Sequence, residues 1–156
     1  MTAIVDANIL MRLTDRKSPL RPVALAAVDT LRKQGFSLQS IPQSHYEFWV
    51  VATRPVANNG LGLSIPECVL ELATVHNQFP LLNDSPNLCA EWRTLVEAHA
   101  CHGKVAHDAR YVAAMKTHGI AHVLTFNVAD FARFPGITVL DPHVVAASSA
   151  GLITGS

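Results

Sequence analysis

Short apolar runs alternate with stretches of helical periodicity along the whole chain, and this alternation restricts the fold more than any single residue does. The first run, Ala3-Ile4-Val5, stops at Asp6. An apolar run that ends at a carboxylate is how a strand buried on both faces reaches a functional edge. An amphipathic helix is expected next, with Ile9, Leu10 and Leu13 on its apolar side. Ligands of open α/β sheets bind just beyond the carboxyl ends of the strands, where Asp6 would stand. Asp is also a favoured helix N-cap. Cap and chemistry therefore both fit Asp6, and only further carboxylates at the same edge can separate them.

The pattern predicts helices from Val23 to Lys33, from the Ser40 capping position to Thr53, and from the Ser64–Glu67 capping box to His76. Ser85-Pro86 predicts the start of another, closed by Gly103. His107-Asp108 opens the next, and Gly119 ends it. Strands are predicted at Phe36–Leu38, Ile120–Thr125 and Ile137–Leu140, with Phe79–Leu82 an edge strand at best because of Pro80. Asp141-Pro142 starts a last short helix. The domain is expected to span 1–147, and the small, polar segment 148–156 to fray. Strands alternating with helices give an α/β domain whose mostly parallel sheet is covered on both faces.

The chain's 156 residues fit one domain, and a 49% hydrophobic content supplies its core. The formal net charge is +0, which excludes nucleic-acid binding by bulk positive charge and leaves a local patch or bridging metal ions. No basic-then-apolar leader pattern is visible at the N-terminus, and no apolar run is long enough to span a bilayer. Cys68, Cys89 and Cys101 are odd in number and lack C-x-x-C spacing, which points to buried thiols in a reducing compartment. A cytoplasmic protein without a membrane partner is expected.

Five polar positions stand out. Asp6 ends the first strand, Glu47 lies beside Phe48 and Trp49, and Asp108 follows a glycine stop, while Asn127 and Asp130 follow the strand at 120–125. In a parallel sheet these positions can share one edge. Carboxylates gathered there repel unless a cation neutralises them, and hard oxygen ligands suit Mg²⁺ or Mn²⁺. Such ions activate water and stabilise the leaving oxygen in phosphodiester cleavage. Each acid also has a plainer role: Asp108 and Asp130 as helix caps, Glu47 as a surface charge. The eight histidines form no H-E-x-x-H motif, and only His107 is expected near the site. There is no nucleophile elbow, P-loop or G-x-G-x-x-G.

Taken together, Ile4-Val5-Asp6-Ala7-Asn8, Glu47-Phe48, His107-Asp108-Ala109-Arg110 and Leu124 to Phe131 resemble the PIN-domain ribonucleases, above all the VapC-type toxins of bacterial toxin–antitoxin pairs. The resemblance runs through nearly the whole chain. It implies a three-layer α/β/α sandwich and an acidic Mg²⁺ or Mn²⁺ site that cuts single-stranded regions of tRNA or rRNA. Asp6, Glu47 and Asp108 match the family's first three acids. Asn127 stands where many members carry Asp, with Asp130 the lesser candidate for the fourth ligand. The resemblance further implies that Asn8 orients Asp6 or the water, that Thr125 and Asn127 complete the shell, and that Arg110 meets a phosphate or a carboxylate. Arg12, Arg16, Lys17 and Lys104 are candidates for RNA backbone contacts. A homodimer and a cognate antitoxin, seated partly on helices after residue 42, are implied as well.

Two other readings compete. A phospho-aspartyl enzyme also places an Asp after its first strand, but a phosphatase of that kind wants a second Asp where Asn8 stands. A PIN-fold module that binds without catalysis would account for Asn127.

Overall fold

The computed structural model describes residues 1–150. Four parallel strands, β1 (Thr2–Val5), β2 (Ser37–Gln39), β3 (His122–Leu124) and β4 (Thr138–Leu140), form a sheet in the order β2-β1-β3-β4. The register sets Ile4 beside Gln39 on one side and Val123 on the other. Parallel neighbours require long crossovers. These are supplied by α1 (Ala7–Thr14), α2 (Arg21–Lys33), α3 (Pro42–Thr53), α4 (Ile65–Gln78), α5 (Leu88–Ala98), α6 (Val105–Thr117) and α7 (Val128–Ala132), and α8 (Pro142–Ala150) follows β4.

The two-residue period of the central strand divides the core. Ala3 and Val5 pack with Ile9, Leu31 and Phe48, whereas Ile4 packs with Val112, Met115 and Phe131. Leu124 and Val123 of β3 part in the same way. Both faces are therefore dry, which is why Ala3-Ile4-Val5 carries no polar alternation. Helices α1 to α4 cover one face and α5 to α7 the other, giving the expected three-layer α/β/α sandwich with an all-parallel sheet.

Some element bounds differ from expectation. Phe79–Leu82 is not a strand but a single parallel bridge, Ser40 to Leu81. The Pro80 carbonyl accepts from the Ser40 amide and the Leu82 amide donates to the Ser40 carbonyl, and Pro80 has no N–H to continue a ladder. Ser40 thus extends the sheet edge, and α3 starts later, at Pro42. Ser85 caps a turn, its Oγ accepting from the Asn87 amide at 3.2 Å, and α5 begins only at Leu88. The Ser64–Glu67 capping box forms as expected, at 3.2 and 2.7 Å. Residues 148–150 belong to α8, and the rest of the predicted frayed tail lies outside the described residues. All three cysteines are free, but only Cys68 is buried. No helix among the described residues is long and apolar enough to cross a membrane.

Candidate active site

The carboxyl edge of the sheet carries the site. The Asp6 amide donates to the Leu124 carbonyl at 3.0 Å, so Asp6 continues the β1–β3 ladder by one bond before the chain turns into α1. Asp6 occupies the N-cap position of α1 with an extended backbone, yet its side chain makes no capping bond. Instead its Oδ2 accepts from Thr125 Oγ1 at 2.7 Å and from Asn8 Nδ2 at 3.1 Å. Thr125 Oγ1 in turn accepts from Asn8 Nδ2 and from the Asn127 amide, each at 3.0 Å. Asn8 Oδ1 accepts from the Phe126 amide at 3.3 Å. Asn8 and Thr125 thereby join the start of α1 to the loop after β3, with Asp6 at the junction.

Glu47 arrives from α3. Helix α3 is fixed to the end of β1 by Ser44, whose buried Oγ donates to the Val5 carbonyl at 3.0 Å. One Glu47 oxygen, Oε1, accepts from Gln43 Nε2 at 2.8 Å, and the other, Oε2, accepts from the Tyr111 hydroxyl at 3.1 Å. Glu47 is therefore partly buried and held at both oxygens, which corrects the surface-charge reading. Asp108 lies on α6. That helix starts at Val105 with Lys104 at the cap position, so Asp108 sits in the first turn and is not the cap.

The electrostatics show how close these acids stand. Burial pushes the Asp6 carboxyl up from its ordinary 3.8 to about 6; the Glu47 charge adds to this, while the Thr125 and Tyr111 hydroxyls and the Ala7 amide oppose it. Burial likewise pushes Asp108 up to about 6, helped by the charges of Asp130, Asp6 and Glu47 and opposed by Lys104. Burial, with the Asp6 and Glu47 charges, holds the Tyr111 phenol well above its usual range. It remains a proton donor at any ordinary pH.

Asn127 and Asp130 divide between the acids. Asn127 lines the same cleft as Asp6, whereas Asp130 is the strongest charged neighbour of Asp108. That cleft, of about 600 Å³, is lined by Asp6, Asn8, Arg12, Asp15, Glu47 and Asn127, with the loop Asn59–Leu61 as a wall. The loop lies where it does because Gly60 allows it: a Cβ there would fall 2.0 Å from the Arg54 carbonyl oxygen. The loop's amides of Leu61, Gly62 and Leu63 then satisfy the Val51, Arg54 and Ala52 carbonyls at the end of α3.

Of the basic candidates, Arg12 lines the cleft. Arg16 and Lys17 are exposed and lie outside its lining. Lys104 is close enough for its charge to be felt at Asp108. Arg110 meets a carboxylate, Asp84, at 2.7 Å, and donates to Gln43 Oε1 at 3.1 Å. His107 joins the network by its backbone carbonyl, which accepts from Gln43 at 2.9 Å. Sequence reasoning gives Gln43 only the role of a capping-box partner of Ser40, which the structure replaces with bonds to Glu47 and His107, and gives Tyr111 no role. Their signal was helical spacing, Gln43 four residues before Glu47 and Tyr111 three after Asp108.

No family model matches the chain, and no curated protein matches its sequence. Solved structures do match. VapBC-1 from nontypeable Haemophilus influenzae superposes with a TM-score of 0.66 at 13% identity, over 91% of this chain and 98% of that one. VapC20 from Mycobacterium tuberculosis, a Sarcin-Ricin loop cleaving toxin, superposes with a TM-score of 0.60 at 16% identity, over 85% and 94%. The fold is PIN-like. A toxin–antitoxin complex from Klebsiella pneumoniae shares it, with a TM-score of 0.60 at 21% identity over 90% and 97%. These structures match over 85–91% of this chain and 94–98% of their own, so the PIN-like fold takes in most of the chain. Among the described residues, no three acid, histidine or cysteine side chains are gathered tightly enough to hold one ion jointly.

Proposed function

We propose that the chain is a Mg²⁺- or Mn²⁺-dependent endoribonuclease, the toxin of a toxin–antitoxin pair, which cuts single-stranded regions of structured RNA of the tRNA or rRNA class. The observation that carries this reading is that Asp6 and Glu47 line one cleft at the carboxyl edge of the sheet, with Asp108 near enough for their charges to act on it. Negative charge is concentrated there and only partly compensated. A PIN-like fold shared with a toxin that cleaves the sarcin–ricin loop supports the same reading.

The donor chemistry fits a small divalent cation. All candidate ligands are hard oxygens, and Mg²⁺ binds through one or two carboxylates while keeping several waters. An ion that keeps its waters does not need three side chains gathered on one point, and among the described residues none are so gathered. Asp6, Glu47 and Asp108 would hold the ion, with Asn127 as a neutral fourth donor and Asp130 acting through Asp108. When bound, the ion supplies an electrophile for the phosphate oxygens and lowers the pKa of water.

The chain's own residues do the rest. Thr125 and Asn8 fix the Asp6 carboxylate by two bonds to Oδ2. Asp108, in the first turn of α6, would position the attacking water together with Asp6 and Glu47. Arg12 on the cleft wall can meet an RNA phosphate. The exposed apolar residues Tyr46, Val50, Ile65 and Val69 on α3 and α4 would form part of the groove that takes the antitoxin, and the toxin would work as a homodimer. The site lies in a protein expected to work in the cytoplasm.

The test is cleavage of a mixed tRNA and rRNA preparation by purified protein with Mg²⁺ or Mn²⁺, with EDTA, and by Asp6→Asn protein. Cleavage should require metal and vanish in the variant. Activity that survives EDTA or the substitution refutes the reading, and so does a wild type inert under every metal.

A further inference from the structure

We propose that Tyr111 and Gln43 are positioning residues that preset the Glu47 carboxylate for the cation, a role that rests on the metal-nuclease reading above. Glu47 has two oxygens, and each is held by a different one of these residues. Oε1 accepts from Gln43 Nε2 at 2.8 Å, and Oε2 accepts from Tyr111 at 3.1 Å. A free glutamate on a helix samples several rotamers, and this one is limited to the orientation that satisfies both donors.

Both holders are themselves fixed. Tyr111 is 2% exposed, and its ring meets Phe131 edge-on with centroids 5.8 Å apart. Its hydroxyl also accepts from the Ala7 amide at 3.3 Å, one residue after Asp6. The same oxygen therefore touches the first helical amide beyond β1 and the Glu47 carboxylate. It ties two of the candidate ligands to one point.

Gln43 is 5% exposed, and its amide makes three hydrogen bonds. The Nε2 group donates to Glu47 and to the His107 carbonyl, and Oε1 accepts from Arg110 Nη1. Only this orientation works. The reverse would set Oε1 against two acceptor oxygens and the NH₂ group against a guanidinium. Arg110 is held in turn by Asp84 at 2.7 Å. The chain of contacts runs Asp84, Arg110, Gln43, Glu47, Tyr111 and the Ala7 amide. His107 lies just before Asp108, so Gln43 also ties α3 to the α6 segment that carries the third acid.

Groups that orient metal-binding carboxylates change metal affinity by about 10–100-fold when removed. The test uses Tyr111→Phe, which keeps the ring against Phe131, and Gln43→Met, which keeps the length. Mn²⁺ binding by each protein is measured by calorimetry without RNA. Cleavage of a single-stranded RNA is followed across Mn²⁺ concentration. Both variants should bind Mn²⁺ about 10–100-fold more weakly. Cleavage should recover toward wild type at saturating Mn²⁺, with KM for RNA unchanged. Thermal unfolding reads the structural role separately. Unchanged Mn²⁺ affinity in the folded variants overturns the proposal, as does a loss of kcat that saturating Mn²⁺ does not restore. The wild-type arm separates the two levels. A wild type that binds no Mn²⁺ removes the nuclease reading and this proposal with it, whereas wild-type binding with unaffected variants removes the proposal alone.

Discussion

Asp6→Asn should stabilise the metal-free protein near neutral pH, because the site stores electrostatic strain. The Asp6 side chain is 5% exposed and its carboxyl is pushed from 3.8 to about 6, chiefly by burial. At about 1.4 kcal/mol per pH unit, keeping it ionised at neutral pH costs about 3 kcal/mol. The sign follows from which state holds the proton. Between pH 3.8 and about 6 the folded protein binds a proton that the unfolded chain has released. Stability therefore falls as pH rises through that window, and the full cost is present above it. Asp108, pushed the same way, adds a smaller amount, since it is more accessible to solvent and titrates together with Asp6. Asparagine has the shape of the protonated acid and can still accept from Thr125. A gain of about 1–3 kcal/mol at pH 7.5 is expected, which for a domain of this size raises Tm by about 2–4 °C per kcal/mol. The assay is urea or thermal unfolding in EDTA from pH 4.5 to 8. Wild type should be more stable at pH 5 than at pH 7.5 relative to the variant, and the two curves should converge toward pH 4. An Asp6→Asn protein less stable than wild type at pH 7.5 would refute the strain argument, as would a difference that does not change with pH.

Two further outcomes follow from the same site. Asn127→Asp adds a charged oxygen to the cleft that Asp6 lines, so it should tighten Mn²⁺ binding by calorimetry and lower metal-free stability at pH 7.5; unchanged Mn²⁺ affinity would place Asn127 outside the ion's reach. Gly60→Val places a Cβ 2.0 Å from the Arg54 carbonyl oxygen, forcing the Asn59–Leu61 wall off α3. It should lower Tm and raise KM for RNA more than it lowers kcat at saturation, and a variant with wild-type Tm would show that the loop has another way to close.

The fold was legible because burial on two faces leaves a mark in one dimension. Ala3-Ile4-Val5 has no polar alternation, and the helices between strands show their stripes, so a covered parallel sheet was the reading that fitted both. Boundaries were less legible. Ser40 and Ser85 look alike as capping serines, but the first bonds into the sheet edge and the second closes a turn. The acids were legible as a set and ambiguous one at a time. The structure removes the plainer roles one at a time: Asp6 makes no capping bond, Asp108 is not the cap of α6, and Glu47 is partly buried and held at both oxygens. Gln43 and Tyr111 were not legible, since a glutamine on a helix and a tyrosine in an apolar stripe are ordinary residues there.

By itself, then, the amino-acid order determined the α/β layering, the central place of β1 and the carboxylate at its end, because hydrophobic period and strand-end position are local properties of the chain. Only the tertiary structure decided that Thr125, 119 positions away, would hold Asp6. It also set the two oxygens of Glu47 against donors from two different helices, and the charge of Asp130 against Asp108. Burial and Coulomb interaction depend on distances through space, and those distances exist only once β1 and β3 lie side by side with α3 and α6 packed over their ends.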